Sequence, residues 1–468
     1  MEHGWEKTAS GCGRRWQDAQ QVKRMWYSRA KIASRMELTE SPLHSDAFVF
    51  FGASGDLAYK QIFPALQALA KNGRLDMPII GVAKDQWSVD RLLKRAEDSI
   101  GENGRIDRDG FSILKKNMRY VSGDVEGNEL YGKLRKELGG ARSPFHYLAI
   151  PPLLFDSAVK HLKSSGCTDG ARIAVEKPFG EDSESALKLN KILHSAFPED
   201  SIFRIDHFLG KRRVQELMKF RLGSGLDDSR WNSGYIDHIQ IGMIEDFGIK
   251  GRGEFYDENG CIRDVFQNHL MQLVGIMGME RCTKGTFRQE KARLFSSVAA
   301  LGVNDVVRGQ FEGYDREEGV EKGSTVETYA AIKLSINNRR WRGVPWFVRS
   351  GKMMPITSTE IAVKFKRDAG VRVPENGKMD GNVLRLQMEG DKDSMLTYER
   401  LFGLAMRGDP TFFSRQDEVK EQWRVFEGVL GDKVPCLKYK PKTWGPETDN
   451  KNVVPPGGWT DPLVVEKS

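Results

Sequence analysis

Residues 46–58 read DAFVFFGASGDLA, a short uninterrupted apolar run that breaks into a glycine turn. A run of that length without alternation suits a strand buried on both faces. The next stretch, IFPALQALAKNG (62–73), repeats apolar residues at helical spacing through Phe63, Leu66, Leu69 and Ala70, with Gly73 as its stop. A second apolar run, MPIIGVAK (77–84), follows at once. Strand, glycine turn, helix and strand make a βαβ unit. Within it Gly52, Gly55 and Ala58 have GxxGxxA spacing. The first glycine permits the tight turn, the second the close approach of a pyrophosphate, and the small third residue lets helix pack on strand. Amides at the helix start then face the phosphates.

Working outward, the alternation continues. A helical stretch near 88–100 is followed by the strand FHYLAIPP (145–152), a helix near 153–165, the strand ARIAVEKPFG (171–180), a helix near 183–196 and the strand SIFRIDH. This pattern predicts an α/β, Rossmann-like dinucleotide-binding domain over 45–200, its mostly parallel sheet covered by helices on both faces. Past residue 200 the texture changes. IDHIQIGMIEDF (236–247), STVETYAAIKLSI (324–336), WFVRSGK (346–352), EIAVKFK (360–366) and NVLRLQM (382–388) alternate with period two. They predict an α+β C-terminal domain, 201–468, with a large, mainly antiparallel sheet and helical stretches near 262–278 and 416–430. The Pro/Gly-rich tail 441–462 reads as an extended surface segment.

Composition excludes several function classes. The chain carries a net charge of +7, but residues 1–35 supply +5 of it, so the body is nearly neutral and has no global field for a polyanion such as nucleic acid. No apolar run approaches the roughly 20 residues of a membrane-spanning helix. Five cysteines, Cys12, Cys167, Cys261, Cys282 and Cys436, are scattered and lack CxxC spacing. That argues against a disulfide framework and against a zinc site, and leads us to expect a reducing, cytoplasmic setting with no metal. The basic head, 1–44, is expected to be a disordered tail or sequence upstream of a start at Met36.

Several strand ends carry chemistry. Lys177 in EKPFG (176–180) can enter the crevice at the carboxyl ends of the parallel strands, or be a surface lysine in a turn. The second strand ends in Lys84 and Asp85. A cation there, with the Ser54 hydroxyl, favours NADP, whereas an acid favours NAD, and both readings stay open. In RIDHFLGK (204–211), His207 and Lys211 are four apart and share a face if the segment is helical, a cluster that suits a phosphate monoester. Asp206 would repel that anion and must turn elsewhere. A partner stands in RDVFQNHLMQL (263–273), where His269 lies among apolar positions that commonly hold a packed core histidine. Beside a nicotinamide, an Asp–His pair is instead a general base: imidazole takes a hydroxyl proton, and carboxylate fixes its tautomer.

Taken together, GASGDLA, YLAIPP, EKPFG, RIDHFLGK, GRGEFYDENGCIRDVFQNHLMQL, ETYAAIKL, GVPWFVRSGK, YERLFGLAMRGD and TWGP, in that order, resemble the glucose-6-phosphate dehydrogenase family over most of the chain. The resemblance implies oxidation of glucose 6-phosphate at C1 to the 6-phosphogluconolactone, the first step of the oxidative pentose phosphate pathway. It makes His269 the base and Asp206 its orienting carboxylate. His207 and Lys211 would hold the 6-phosphate, and Lys177, Glu245, Asp264 and Lys352 the sugar hydroxyls. Gly52, Ser54, Gly55, Asp56, Leu57 and Lys84, with Lys177, would line the dinucleotide site, with NADP expected and NAD possible. A homodimer or homotetramer is the family's habit.

Departures from that pattern are specific. Phe208 stands where the family has Tyr, removing a hydrogen bond to a charged group worth roughly 1.5–3 kcal/mol. Thr357 stands where a basic residue is expected, and Lys84 replaces an arginine fork by a point charge. The join LQMEGDKDSMLTYERL is several strands shorter than the family's, in the sheet that forms its dimer face. Two other readings compete: a sugar dehydrogenase of the glucose–fructose oxidoreductase type, and a non-catalytic NADP(H)-binding sensor. Retention of both Asp206 and His269 weighs against the sensor, which has no use for a base.

Overall fold

The computed structural model describes residues 45–223, 226–281, 286–388 and 394–462, the side chains of 394–396 excepted. The basic head, Cys12, Cys282 and the join at 389–393 lie outside the described residues.

Two sheets organise the chain. The first holds β1 (Ala47–Phe51), β2 (Ile79–Ala83), β3 (Met118–Ser122), β4 (Pro144–Leu148), β5 (Arg172–Glu176) and β6 (Ile202–Ile205) in the order β3-β2-β1-β4-β5-β6. Every pairing is parallel. All five residues of β1 are buried, which is why its sequence is apolar without alternation. Strand order reverses between β1 and β4, and the crevice at that switch point is where such sheets take a ligand. The weakly patterned β3 and the helices Arg108–Asn117 and Asn128–Leu138 around it were not anticipated from the sequence.

The second sheet comprises β7 (Ile236–Ile244), β8 (Val306–Phe311), β9 (Tyr329–Ser335), β10 (Pro345–Gly351), β11 (Ser358–Phe365), β12 (Gly377–Asp380), β13 (Val383–Gln387) and β14 (Cys436–Tyr439). Its order is β12-β13-β11-β7-β10-β9-β8-β14. Five pairings are antiparallel, as expected, but β7 and β10 run parallel at the centre, as do β8 and β14 at one edge. The central parallel pair matters for the site. It ends with Ile244 opposite Gly351, so the next residues, Glu245 and Lys352, emerge side by side.

The texture change near residue 200 marks a change of sheet rather than a break in packing. β6 follows it yet pairs with β5. The helix Ser394–Arg407 returns to the first sheet, where the Phe402 ring meets Phe48, Phe145 and Tyr147 at centroid distances of 5.2, 6.3 and 4.9 Å. The helix Gln416–Phe426 closes over the EKPFG turn, with Trp423 donating its indole N–H to the Phe179 carbonyl at 3.1 Å. The larger apolar core therefore runs through both sheets, and a smaller cluster gathers around Tyr256, Phe311, Tyr314 and Tyr329. Among the described residues no helix is long and apolar enough to cross a membrane.

Candidate active site

The RIDHFLGK stretch is built from three short pieces. β6 ends at Ile205, residues His207–Gly210 make a 3₁₀ turn, and the helix Arg212–Leu222 begins only after Lys211. His207 and Lys211 thus do not share one continuous helical face, because the turn intervenes. Asp206 caps the turn, its Oδ1 accepting the Phe208 amide at 3.1 Å. The turn is clamped from above: a Cβ on Gly210 would come within 2.7 Å of Thr397, and Arg400 donates to the Gly210 carbonyl at 3.3 Å.

His269 comes from a π-helical segment, Ile262–Leu270, that runs into the helix Met271–Gly278. Such wide turns are rare and recur at functional sites. Asn268 helps shape it: its Oδ1 accepts the His269 amide at 2.6 Å and its Nδ2 donates to the Arg263 carbonyl at 3.0 Å. The imidazole reaches back to β6, with His269 Nδ1 2.6 Å from Asp206 Oδ1. On the other side of the ring, Lys177 Nζ lies 3.1 Å from Nε2, 2.9 Å from the Asp264 carbonyl and 3.2 Å from Asp264 Oδ1. The close carboxylate favours a proton on Nδ1, which leaves the Nε2 lone pair toward the Lys177 ammonium.

Charge follows from burial and these neighbours. For Asp206, burial alone would raise the carboxyl pKa, but the adjacent His269 outweighs it and holds the group strongly ionised. His269 is pushed down, mainly by burial and further by the Lys177 ammonium, against the upward pull of Asp206. His207 falls to about 3, by burial first and then by its cationic neighbours. It is therefore a neutral imidazole, whose ring sits edge-on to His269 with centroids 4.9 Å apart. For Asp264, burial is outweighed by Lys177, and the carboxyl is lowered.

The remaining expected residues surround this core. Lys352 pairs with Glu245, the two being delivered by the parallel β7 and β10, and its ammonium also lies 5.4 Å over the Tyr256 ring. Lys211 Nζ lies 5.1 Å over the Phe208 ring, and that ring stands 5.3 Å from His269. Thr357, at the position of the expected cation, accepts the Asp246 amide at 3.0 Å and donates to Asp246 Oδ1 at 2.5 Å. A cation missed in the sequence reaches the same edge: Lys442, at φ +63°, donates its ammonium to the Asp246 carbonyl. Also missed was Glu176, whose Oε1 accepts the Tyr147 hydroxyl at 2.7 Å and whose carboxyl burial raises to about 7.

At the mouth of β1, Gly52 sits at φ +79°, and a Cβ there would lie 2.2 Å from the Ala149 carbonyl oxygen. Glycine is therefore what lets the turn pack against the chain just past β4 at the switch point. Ser54 donates to Asp85 Oδ2 at 2.6 Å, so the two residues expected to pull toward different cofactors are bonded to each other. Asp56 forms an exposed pair with Lys60 at 2.9 Å, Leu57 packs on the core, and Lys84 is exposed at the end of β2. Donor atoms of Asp206, His207 and His269 lie within 4.8 Å of one another. A cation there would compete with the Asp206–His269 contact and face the Lys177 ammonium, so the cluster suits proton transfer better than metal binding.

Comparison with known proteins agrees with this geometry. A family model described as glucose-6-phosphate dehydrogenase, NAD binding domain, matches residues 49–216, and one described as the C-terminal domain of the same enzyme matches 218–397 and 387–457. The chain belongs to the glucose-6-phosphate dehydrogenase family. It is similar to glucose-6-phosphate 1-dehydrogenase 1 of Mycobacterium tuberculosis, with 37% identity covering 90% of this chain and 97% of that enzyme. The cytoplasmic glucose-6-phosphate 1-dehydrogenase 6 of Arabidopsis thaliana is 33% identical, covering 86% of this chain and 89% of that one. A crystal structure of the Mycobacterium avium enzyme superposes with a TM-score of 0.81 at 37% identity, covering 90% of this chain and all of that one. A structure of glucose-6-phosphate dehydrogenase in complex with glucose 6-phosphate gives 0.78 at 29% identity, covering 91% of this chain and all of that one. The two C-terminal matches meet at the short join before YERL. As a family member, the chain is a dehydrogenase with a domain for a nicotinamide dinucleotide.

Proposed function

We propose that the crevice between the two sheets oxidises glucose 6-phosphate at C1, with NADP as the preferred acceptor and His269 as the base. The observation that carries this reading is the arrangement on the two ring nitrogens of His269: Asp206 at 2.6 Å from Nδ1 and Lys177 at 3.1 Å from Nε2. A core histidine needs only a satisfied N–H. This one is oriented by an ionised carboxylate and keeps an accepting nitrogen, held by a side chain that can move.

The sugar's 1-hydroxyl takes the place of Lys177 at Nε2, and Lys177 remains beside Asp264 to hold neighbouring hydroxyls with it. Nε2 accepts the hydroxyl proton as the C1–H bond breaks, and Asp206 stabilises the imidazolium that forms. The nicotinamide, when bound, supplies the acceptor for the two electrons and hydrogen leaving C1. Lactone and a proton on His269 complete the balance. His207 and Lys211 bind the 6-phosphate, the neutral imidazole through a ring N–H and the ammonium through charge, while Glu245 and Lys352 hold the far hydroxyls. Gly52, Ser54, Gly55, Asp56 and Leu57 cradle the dinucleotide, with Lys84 at its adenosine end. A homodimer or homotetramer is what the family implies, and the shortened join falls in the sheet that forms the family's dimer face.

The test is nicotinamide reduction with glucose 6-phosphate and with unphosphorylated glucose, each with NADP and NAD, using His269→Asn as control. Phosphate-dependent reduction that disappears in the variant supports the reading. Equal reduction with both sugars, or an active His269→Asn, removes it.

A further inference from the structure

The end of β2 contains more positive charge than Lys84. The helix Val89–Asn103 opens on Ser88; Trp87 stands just before it, and Arg91 and Arg95, four apart in the helix, share the face that meets the Trp87 ring. The Arg91 guanidinium carbon lies 4.7 Å over the Trp87 ring, and that of Arg95 lies 5.8 Å over it and 4.8 Å over Tyr59. Tyr120, on β3, stacks on Trp87 at 6.4 Å and 25°. Arg95 reaches the phosphate turn, 3.4 Å from the Gly55 carbonyl, and its Nε is buried without a hydrogen-bond partner among the described residues. Arg91 is exposed, and among the described residues no carboxylate comes within ion-pair distance of it. The Tyr120 hydroxyl donates to the Asp85 carbonyl at 2.7 Å. Burial and then Asp85 push that hydroxyl up to about 12 and Arg91 pulls it back, so acid and guanidinium act on one place.

We propose that Arg91, held over the Trp87 ring, is this chain's recognition group for the 2′-phosphate of NADP, acting beside Lys84 against an opposing Asp85 latched to Ser54. The inference rests on the proposed dinucleotide site. Its logic is geometric. The ribose 2′ position of a dinucleotide lies at the end of the second strand, and there an acid bonds the 2′-hydroxyl of NAD whereas a guanidinium accepts the phosphate of NADP. Here the acid is present, and its Oδ2 takes up the Ser54 hydroxyl. Lys84 alone offers a point charge without a planar fork. Arg91 restores the fork from the next helix, and its contact with the indole lowers the side-chain freedom left to lose when phosphate arrives. Arg95 is bound into the phosphate turn and serves there as its support.

The experiment measures equilibrium binding of 2′,5′-ADP and 5′-ADP to the full chain by titration calorimetry, which needs no turnover. The original chain is expected to prefer 2′,5′-ADP. Arg91→Gln should weaken 2′,5′-ADP by about tenfold, the loss of one charge-assisted bond, and 5′-ADP by less than about twofold. Arg91→Lys should fall between, and Asp85→Asn should tighten 2′,5′-ADP. An Arg91→Gln variant that leaves the ratio of the two affinities unchanged overturns the proposal. If neither nucleotide binds the original chain, the dinucleotide site itself fails, and the proposal with it.

Discussion

Lys177 Nζ stands 3.1 Å from His269 Nε2, on the nitrogen opposite the one that meets Asp206 at 2.6 Å. An ammonium and a carboxylate thus act on the two ends of one buried imidazole. They shift its proton affinity in opposite directions, Asp206 upward and Lys177 downward, beneath the larger downward effect of burial.

Removing the carboxylate should therefore cost both orientation and basicity. Asp206→Asn is expected to lower kcat by about 10²–10⁴, by leaving the ring in the wrong tautomer, and to move the acid limb of kcat/KM to lower pH. Steady-state kinetics across pH 5–9 would check this, with His269→Asn as the floor.

Lys177→Gln should move that limb the other way. Without the ammonium the His269 pKa rises, so the base form is lost at a higher pH, and KM for the sugar rises because Asp264 loses its partner. Opposite shifts in the two variants are the decisive pattern in the same kinetic experiment.

Phe208 carries no polar atom between His269 and Lys211. Phe208→Tyr should lower KM for glucose 6-phosphate by roughly ten- to a hundredfold with kcat nearly constant, since one bond to a charged phosphate is worth about 1.5–3 kcal/mol. Unphosphorylated glucose should be unaffected.

Glu176 titrates near 7 in the fold against 4.5 for a free carboxyl. Between those values the folded chain keeps a proton that the unfolded chain has released, so stability should fall as pH rises from about 4.5 to about 7. Glu176→Gln preserves an acceptor for Tyr147 and should flatten that slope, as read from Tm against pH.

Gly52→Ala places a methyl 2.2 Å from the Ala149 carbonyl at φ +79°. A loss of about 1–3 kcal/mol in stability is expected, with nucleotide binding weakened as the turn shifts. Denaturant unfolding and nucleotide titration on the same variant would measure both.

What the sequence determined by itself was whatever local chemistry dictates. The unbroken apolar run before Gly52 could only be a strand covered on both faces, and the glycine turn after it needed a positive φ, so the βαβ unit was legible without any partner. Asp206, His269, Lys177 and Lys352 could be singled out as candidates because RIDH, QNHL, EKPFG and RSGK are short and distinctive, whereas Glu245 came only with the family resemblance. Tertiary structure decided how they meet. The parallel pairing of β7 with β10, which period-two alternation cannot distinguish from antiparallel, is what sets Glu245 beside Lys352. The π-helical turn that aims His269 at β6, and the 3₁₀ turn that separates His207 from the helix at Lys211, are departures from regular periods and leave no simple spacing signal. Arg91 was invisible for the opposite reason. A helical arginine is ordinary in a sequence, and only the Trp87 ring beneath it and the Ser54–Asp85 bond beside it give it a task. Local steric and hydrogen-bonding rules act over a few residues, whereas the convergence of side chains from the ends of β5, β6, β7 and β10 depends on sheet order, which no short stretch encodes.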